Sequence, residues 1–288
     1  MPTPRTEVAV AALDGKIFAA GGFISGGAAT DVVEVYDPQS DRWTESVPLP
    51  AARHHMGLTA ADGRLYAVAG YDKDGRATST VWSRTVPNGR WREETELPTP
   101  RGALAVVATE PGDDPQIFAI GGANDFTGRA RLTGAVESFS PDTETWTEYP
   151  ELPEPRDHLA AALDRDSVFV VGGRKLSLET NQDRLDILRI SLRDWSEGPE
   201  MPTARGGLAA CTARGEIYVF GGEEPPGTFE EAEVFEPTSK VWFKAPDLPT
   251  PRHGLGAAAI GDRVYVVGGG PEPGLSVSGV TEILHVGG

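Results

Sequence analysis

Short apolar runs separated by turn residues dominate the first 45 residues of the chain. Residues 6–13 are mostly small and apolar, and an Asp14-Gly15 pair separates them from a second apolar run at 16–20. An Asp-Gly pair between two such runs is typical of a β-hairpin, so the two runs are predicted to pair antiparallel. A third strand is predicted at 32–36 and a fourth from Arg42 onward. Long helical periodicity is absent, which predicts an all-β chain.

Three sequence marks recur in the same order along the whole chain. The first is an arginine close after a proline or alanine, at Arg5, Arg53, Arg101, Arg156, Arg205 and Arg252. The second is Gly-Gly, or Ala-Gly in one copy, at Gly21-Gly22, Ala69-Gly70, Gly121-Gly122, Gly172-Gly173, Gly221-Gly222 and Gly268-Gly269. The third is a tryptophan, at Trp43, Trp91, Trp146, Trp195 and Trp242. Successive arginines lie 48, 48, 55, 49 and 47 residues apart, which predicts six repeats.

This ordered set of marks resembles the kelch-repeat β-propeller family, whose repeat is roughly 50 residues long. The resemblance covers nearly the whole chain. It implies a single all-β domain, residues 1–288, that forms a six-bladed propeller with four antiparallel strands per blade around a central channel. The blades are predicted at approximately 5–47, 53–97, 101–152, 156–200, 205–248 and 252–288.

The resemblance also places the first strand of each repeat beside the channel, where six blades crowd together. These strands are rich in small residues, as in the segment 207–211 (GLAAC). Cys211, the only cysteine, belongs to this segment and is predicted to be a small core residue. The alternative role, a channel nucleophile, would require a lowered thiol pKa. A single cysteine also excludes an intramolecular disulfide and a cysteine-rich zinc site.

The sixth repeat lacks the tryptophan mark. Its second and third strands are predicted at 263–267 and 280–286, and no later segment of the sequence could form a fourth strand. We expect a last blade of three strands, or one that a partner or another segment completes. An open strand edge is a potential docking site, so an edge-strand partner at the sixth blade is a further expectation.

The charge balance restricts the classes of partner. Lys and Arg total 26 against 43 Asp and Glu, a net charge of −17. Such an acidic chain is predicted not to bind nucleic acid or anionic membranes. The acidic, lysine-poor composition fits either a high-salt cytoplasm or an arginine-biased genome. The N-terminus shows neither a basic region followed by a long apolar run nor a cleavage site, which predicts a cytoplasmic protein.

The connections between the blades form the first candidate binding surface. They carry the six repeat arginines and four of the five histidines: His54, His55, His158 and His253. Positive and titratable groups concentrated in an acidic protein predict a site for an anion, such as a carboxylate or phosphate held by arginine forks. The structural alternative is that each arginine pairs with a neighbouring acid or hydrogen-bonds to backbone carbonyls.

The loops after the Gly-Gly pairs form the second candidate surface, and the resemblance places both loop families on one face. These loops differ strongly between repeats, as recognition loops on a fixed scaffold do. Phe23, Tyr71, Asn124 and Arg174 stand in them and are candidate ligand-binding residues. The fifth loop begins with Glu223-Glu224 and is predicted to be a solvated charge run.

Together these features predict a binding module that holds an anionic ligand or an acidic peptide at the channel mouth, without a cofactor. The alternative is an isomerase, epimerase or lyase that acts on an anionic, sugar-acid-like molecule. Its acid–base residues would come from the same face, because an imidazole titrates near neutrality. The candidates are His54, His55, His158, His253 and Asp157.

No metal site is predicted from the sequence. Iron-dependent members of the kelch family space Glu, Asp and His four residues apart. Glu179 and Asp183 show the first interval, but Ile187 stands in the third place. The copper oxidases of the family need a cysteine crosslinked to a tyrosine, and the only cysteine here lies in a predicted inner strand.

Overall fold

The computed structural model describes residues 1–109, 114–126 and 128–287, which form a six-bladed β-propeller of antiparallel sheets. Within these residues, five sheets have four strands and the sixth has three, as predicted. The first predicted strands agree with the observed ones to within a few residues. The third strand extends one residue further than expected, to Asp37.

The strands follow one another in chain order from the channel outward in every blade. Blade 1 contains β1 (Ala9–Leu13), β2 (Lys16–Ala20), β3 (Val33–Asp37) and β4 (Arg42–Glu45). Blade 2 contains β5 (Gly57–Ala61), β6 (Arg64–Val68), β7 (Val81–Thr85) and β8 (Arg92–Glu93). Blade 3 contains β9 (Ala105–Ala108), β10 (Ile117–Ile120), β11 (Val136–Ser140) and β12 (Thr145–Tyr149).

The second half of the ring repeats this order. Blade 4 contains β13 (Ala160–Asp164), β14 (Ser167–Val171), β15 (Leu185–Arg189) and β16 (Asp194–Glu197). Blade 5 contains β17 (Ala209–Ala213), β18 (Glu216–Phe220), β21 (Ala232–Glu236) and β22 (Val241–Lys244), with the small hairpin β19 (Glu223–Glu224) and β20 (Gly227–Thr228) inserted. Blade 6 contains β23 (Gly256–Ile260), β24 (Arg263–Val267) and β25 (Thr281–His285). A 3₁₀ turn, Leu178–Thr180, is the one helical element described, and no described helix is long and apolar enough to cross a membrane.

The six inner strands touch their neighbours around the channel, which explains their small side chains. β1 contacts β5 and β23, so the ring closes between the first and last blades. A Cβ added at Gly57 would collide with Val106 of the next blade, and one at Gly256 would collide with Val10. Cys211 lies in the same setting, buried in the core between blades 5 and 6, as predicted.

The repeat tryptophans join adjacent blades. In blades 2 to 5 the indole N–H donates to a backbone carbonyl near the end of the preceding blade. The four bonds run from Trp91 to Val47, Trp146 to Thr95, Trp195 to Pro150 and Trp242 to Pro199, at 2.9 to 3.1 Å. Each large ring therefore adds a directed contact to its apolar burial.

The six repeat arginines lie inside the blades. Five of them form buried ion pairs with an acidic residue on the third strand of the same blade, at N–O distances of 2.5 to 2.8 Å. The pairs are Arg5–Glu34, Arg101–Glu137, Arg156–Asp186, Arg205–Glu233 and Arg252–Glu282. In blade 2 the equivalent position is Trp82, and the Arg53 guanidinium stacks 4.8 Å from its ring. The structural alternative considered for these arginines is therefore the observed arrangement.

The Gly-Gly pairs connect each blade to the next one. The second glycine of blade 1, Gly22, donates its N–H to the carbonyl of Arg53 at 2.8 Å. The first, Gly21, has φ +62°, and a Cβ there would lie 2.6 Å from the same oxygen. Glycine relieves both constraints, because it lacks a Cβ and adopts positive φ readily. The same bond from Gly269 to the carbonyl of Arg5, at 2.8 Å, links the last blade to the first.

The sixth blade is held to the start of the chain without a fourth strand. The N–H of Arg5 donates to Ser278 at 3.1 Å, and the terminal ammonium of Met1 donates to Gly279 at 2.6 Å. Among the described residues β25 has no neighbour on its outer side, and Ile283 in it is 41% exposed. The edge-strand partner at this blade stays a prediction.

Arg205→Met tests whether the buried ion pairs stabilise the blades. The substitution leaves the Glu233 carboxylate buried with only the Thr203 hydroxyl as a partner, and it is expected to lower the free energy of unfolding by about 3–5 kcal/mol. The measurement is chemical denaturation followed by circular dichroism.

The matched control is Arg205→Met/Glu233→Leu, which removes both charges. It is expected to be more stable than the single variant, because no uncompensated charge remains buried. A double variant as unstable as Arg205→Met, or less stable, would contradict this account of the pair.

Candidate functional site

The two predicted loop families lie side by side on one face of the propeller. In each blade the residue after the repeat arginine pairs through its backbone with the residue after Gly-Gly. The six pairs are Thr6–Phe23, His54–Tyr71, Gly102–Ala123, Asp157–Arg174, Gly206–Glu223 and His253–Gly270. These pairs surround the channel mouth and bring variable residues from all six blades together.

The next residue of each connection faces the channel, and we call these six residues the mouth ring. Its members are Glu7, His55, Ala103, His158, Gly207 and Gly254. All six have left-handed backbones, with φ between 50° and 70°. Non-glycine residues rarely adopt this conformation, so Glu7, His55 and His158 are held there by their surroundings.

Backbone hydrogen bonds tie the mouth ring together. Ala103 donates to His55, His158 to Ala103, and Gly207 to His158, at 2.9 to 3.0 Å. Gly254 donates to Gly207 at 2.8 Å. One residue below, apolar side chains line the channel and narrow it to a cavity of about 100 Å³; they are Val8, Met56, Leu104, Leu159, Leu208 and Leu255. The ring therefore has a rigid backbone and an apolar floor.

A chain of imidazoles crosses the mouth ring. Nδ1 of His54 lies 2.7 Å from Nδ1 of His55, and Nε2 of His55 lies 3.0 Å from Nε2 of His158. Nδ1 of His158 lies 2.8 Å from Oδ2 of Asp157. Although burial would raise the pKa of Asp157, its hydrogen bonds from His158 and from the Leu176 N–H lower it. The carboxylate is therefore an acceptor, His158 donates from Nδ1, and its Nε2 carries the lone pair in the neutral ring.

The first two histidines of this chain are neutral at physiological pH. Burial lowers the pKa of His54 to about 4 and that of His55 well below its usual value, and the charge of Glu7 offsets this only in part. A neutral imidazole donates from one nitrogen and accepts at the other. The distances therefore fit one direction of donation, from His54 to His55 to His158 to Asp157.

Two further carboxylates, those of Glu7 and Glu223, lie at the mouth beside these histidines. Oε2 of Glu7 is 3.2 Å from Nε2 of His55, and its Oε1 is 3.6 Å from Nδ1 of His253. Glu223 contacts Arg174 at 2.7 Å and approaches Nδ1 of His253 at 3.4 Å. Burial alone would lower the pKa of His253, but the charges of Glu7 and Glu223 raise it. Glu223 was predicted to be solvated, and that prediction is wrong, because the residue is buried beside two partners.

Aromatic rings cover the blade 1 to blade 3 side of the mouth. Phe23 stacks on His54 with ring centroids 4.0 Å apart, and Tyr71 lies 5.5 Å from Phe126. Beside them is a half-open cavity of about 310 Å³, which we call the mouth cavity; its lining includes Tyr71, Phe126, Asp157, His158, Arg174 and Leu176. Phe126 is 44% exposed, so one wall of this cavity is open to solvent.

The residues predicted from sequence separate into three groups. The four candidate histidines and Asp157 meet at the mouth, together with Phe23, Tyr71 and Arg174. Asn124 is exposed, and its Oδ1 accepts from the N–H of Arg131. The six repeat arginines have buried guanidinium groups directed into the blades, so they offer no exposed surface to a ligand at the mouth.

Sequence reasoning missed Glu7, Glu223 and Phe126 as site residues. Glu7 stands two residues after Arg5, as His55 stands after Arg53 and His158 after Arg156. Glu223 follows Gly-Gly directly, as Phe23 and Tyr71 do. Alignment of the repeats on their arginine and glycine marks would have found both residues. Phe126 lies further along its loop, and the repeat pattern carries no signal for its position.

Comparison with protein-family models agrees with this architecture. A model described as the KLHDC2/KLHL20/DRC7 Kelch-repeats domain matches residues 56–269, and a Kelch motif model matches residues 4–50. The first match alone covers more than half of the sequence. The chain belongs to the Kelch-repeat family, whose propellers are typically interaction modules.

One relative is the Kelch-like protein terF of Aspergillus terreus. It is 29% identical to this chain over 182 residues, which is 61% of the chain and 29% of the relative. The matched part of this chain thus spans less than a third of the length of that protein.

The Cys211 thiol is expected to be inert in the folded protein. Burial raises its pKa to about 12, and only the thiolate reacts rapidly with disulfide reagents. Ellman's reagent at pH 8 is expected to label Cys211 slowly in the native state and rapidly in guanidinium chloride. Rapid stoichiometric labelling of the native protein would instead support a reactive channel thiol.

Proposed function

We propose that this Kelch propeller is a binding module that holds its ligand at the channel mouth. The observation that carries the proposal is the mouth cavity itself. Aromatic walls and a few convergent polar groups in a partly enclosed space are the usual composition of a ligand pocket. Tyr71 and Phe126 supply the walls, while His158 and Arg174 supply polar groups.

The charges at the mouth indicate which ligands the cavity favours. The anionic ligand predicted from sequence would depend on Arg174 and on protonated imidazoles, because the repeat arginines are buried. Arg174 is already paired with Glu223, and the carboxylates of Glu7 and Asp157 lie nearby. A cationic group against the exposed ring of Phe126 would gain cation–π attraction and would meet these carboxylates favourably. We therefore favour a ligand, or a partner side chain, that carries a protonated amine or guanidinium.

The Asp157–His158 pair favours a second candidate, an enzyme with an acid–base residue at the same cavity. A carboxylate bonded to Nδ1 orients an imidazole and stabilises its protonated form, as in catalytic triads. His158 is bonded to Asp157 in this way at 2.8 Å and lines the mouth cavity. In this role His158 would exchange a proton through Nε2 with an isomerase or lyase substrate.

Two probes that share a phenylethyl group and differ in the charged group attached to it test the sign of the ligand charge. Phenethylamine and 3-phenylpropanoate are titrated in EDTA-containing buffer and followed by ligand-observed NMR. The amine is expected to bind and the carboxylate not to bind. Phe126→Ala removes an exposed wall of the cavity and is expected to weaken amine binding about five- to tenfold.

Phe243→Ala is the matched control, because Phe243 is a similarly exposed aromatic residue, 52% against 44%, on the outer strand β22. It is expected to bind the amine as the wild type does. Binding of the carboxylate alone, lost in Phe126→Ala, would support the anionic ligand instead. Equal effects of the two substitutions would place binding away from the mouth cavity.

A further inference from the structure

We propose that Glu7, His55 and His158 bind a divalent transition-metal ion at the centre of the mouth ring. The three residues come from three different inter-blade connections, yet their ligand atoms lie within 4.8 Å of one another. The site is distinct from the mouth cavity and meets it at His158.

The distances between the donor atoms fit a metal site. Nε2 of His55 lies 3.0 Å from Nε2 of His158 and 3.2 Å from Oε2 of Glu7. Ligands about 2.0–2.2 Å from a tetrahedral ion are about 3.3–3.6 Å apart. Shifts of a few tenths of an ångström would bring both His55 distances into this range, and the remaining pair, Glu7 and His158, lies within 4.8 Å. Two imidazoles and one carboxylate form the three-ligand set of many catalytic zinc sites, which leave a further position open.

The backbone positions the side chains of Glu7, His55 and His158 before any ion binds. Glu7, His55 and His158 have φ of 52°, 52° and 50°, a conformation that is costly for residues with a Cβ. The hydrogen bonds of the mouth ring hold His55 and His158 there, and next to Glu7 the N–H of Val8 donates to the carbonyl of Gly254 at 3.3 Å. Gly254 supplies the space, because a Cβ at this position would lie 2.6 Å from Oε1 of Glu7. The arrangement therefore uses strained positions to aim three donor atoms at one point.

His158 already has the outer partner that a metal-binding imidazole needs, and His55 can gain one. Asp157 accepts from Nδ1 of His158, which leaves the lone pair of Nε2 directed toward His55. Nδ1 of His55 contacts Nδ1 of His54. If His55 donates to His54 along this contact instead of accepting from it, Nε2 of His55 carries no proton and can bind an ion. A carboxylate on the far nitrogen fixes the tautomer and raises the basicity of a ligating histidine.

His253 gives an independent reason to place an ion here. It is 1% exposed, and neither of its ring nitrogens has a hydrogen-bond partner among the described residues. Leaving a buried polar group unpaired is costly. Nδ1 lies 3.4 Å from Oε2 of Glu223 and 3.6 Å from Oε1 of Glu7, at the edge of the same cluster. An ion held by Glu7 would therefore lie beside a buried imidazole that lacks a hydrogen-bond partner among the described residues.

The donor set selects the class of metal. Imidazole nitrogen suits Zn²⁺, Fe²⁺, Co²⁺, Ni²⁺ and Cu²⁺, whereas Ca²⁺ and Mg²⁺ prefer all-oxygen sites. The apolar floor of the channel closes the site from below and leaves access from the mouth. This differs from the sequence-based expectation of no metal, which was derived from residues spaced four apart in one segment. The present ligands are separated by 48 and 103 residues in the sequence, and only the ring of blades brings them together.

Metal titration of the untagged full chain, freed of metal with EDTA and then exchanged into chelator-free buffer, tests the proposal. Zn²⁺ binding is measured by calorimetry, and Co²⁺ binding by the visible spectrum that nitrogen and oxygen coordination produces. One ion per chain is expected. Glu7→Gln and His158→Gln are expected to weaken binding by about a hundredfold or more, and Asp157→Asn by about 10- to 100-fold.

His285→Gln is the matched control, because His285 is the exposed fifth histidine on β25. It is expected to bind the ion as tightly as the wild type does. Absence of stoichiometric Zn²⁺ and Co²⁺ binding by the wild-type chain would overturn the proposal, whatever the variants do. Unchanged binding by folded Glu7→Gln and His158→Gln, with folding checked by circular dichroism, would overturn it too. The amine probes are measured with EDTA present, so this proposal and the proposed function can fail separately.

Discussion

The repeat arginine is the constraint on which the rest of the propeller depends. In blade 4 the guanidinium of Arg156 donates to the carbonyls of Gly172 and Val170 and pairs with Asp186, so it joins the second and third strands of its own blade. Its backbone carbonyl accepts from Gly122 of the preceding blade. One residue therefore orders a blade and attaches it to its neighbour. A buried arginine needs many acceptors, and the repeat supplies them from fixed positions.

This use of arginine determines where function can be located. The guanidinium groups form their contacts inside the blades. The two residues that follow each arginine lie at the channel mouth whatever their identity. Those positions contain glycine and alanine in some blades and Glu, His or Asp in others. The scaffold tolerates the small residues because the ring is built from backbone hydrogen bonds. Chemistry can therefore change at these positions while the fold persists.

The sequence was sufficient for the architecture because its marks are local and periodic. The blade number, the three-stranded last blade and the inner position of Cys211 all follow from them. The ion pairs of the arginines could not be predicted from the neighbouring sequence, because each acidic partner lies 28 to 36 residues further along the chain. An arginine that would be expected on the surface from its own segment is buried once its blade has folded. The meeting of Glu7, His55 and His158 is also nonlocal, since it requires all the blades to form a ring.

Ring closure and the proposed ion are physically linked. Where the first and last blades meet, the last blade has no fourth strand among the described residues to join the two ends. Closure depends on hydrogen bonds such as Gly269 to Arg5, on apolar contacts such as those of Tyr265 with Tyr36, and on the fit of Glu7 over Gly254. Glu7 belongs to the first blade, His55 to the second and His158 to the fourth. An ion held by all three would cross-link the ring beside this junction, so ligand binding and the integrity of the ring would depend on the same few atoms.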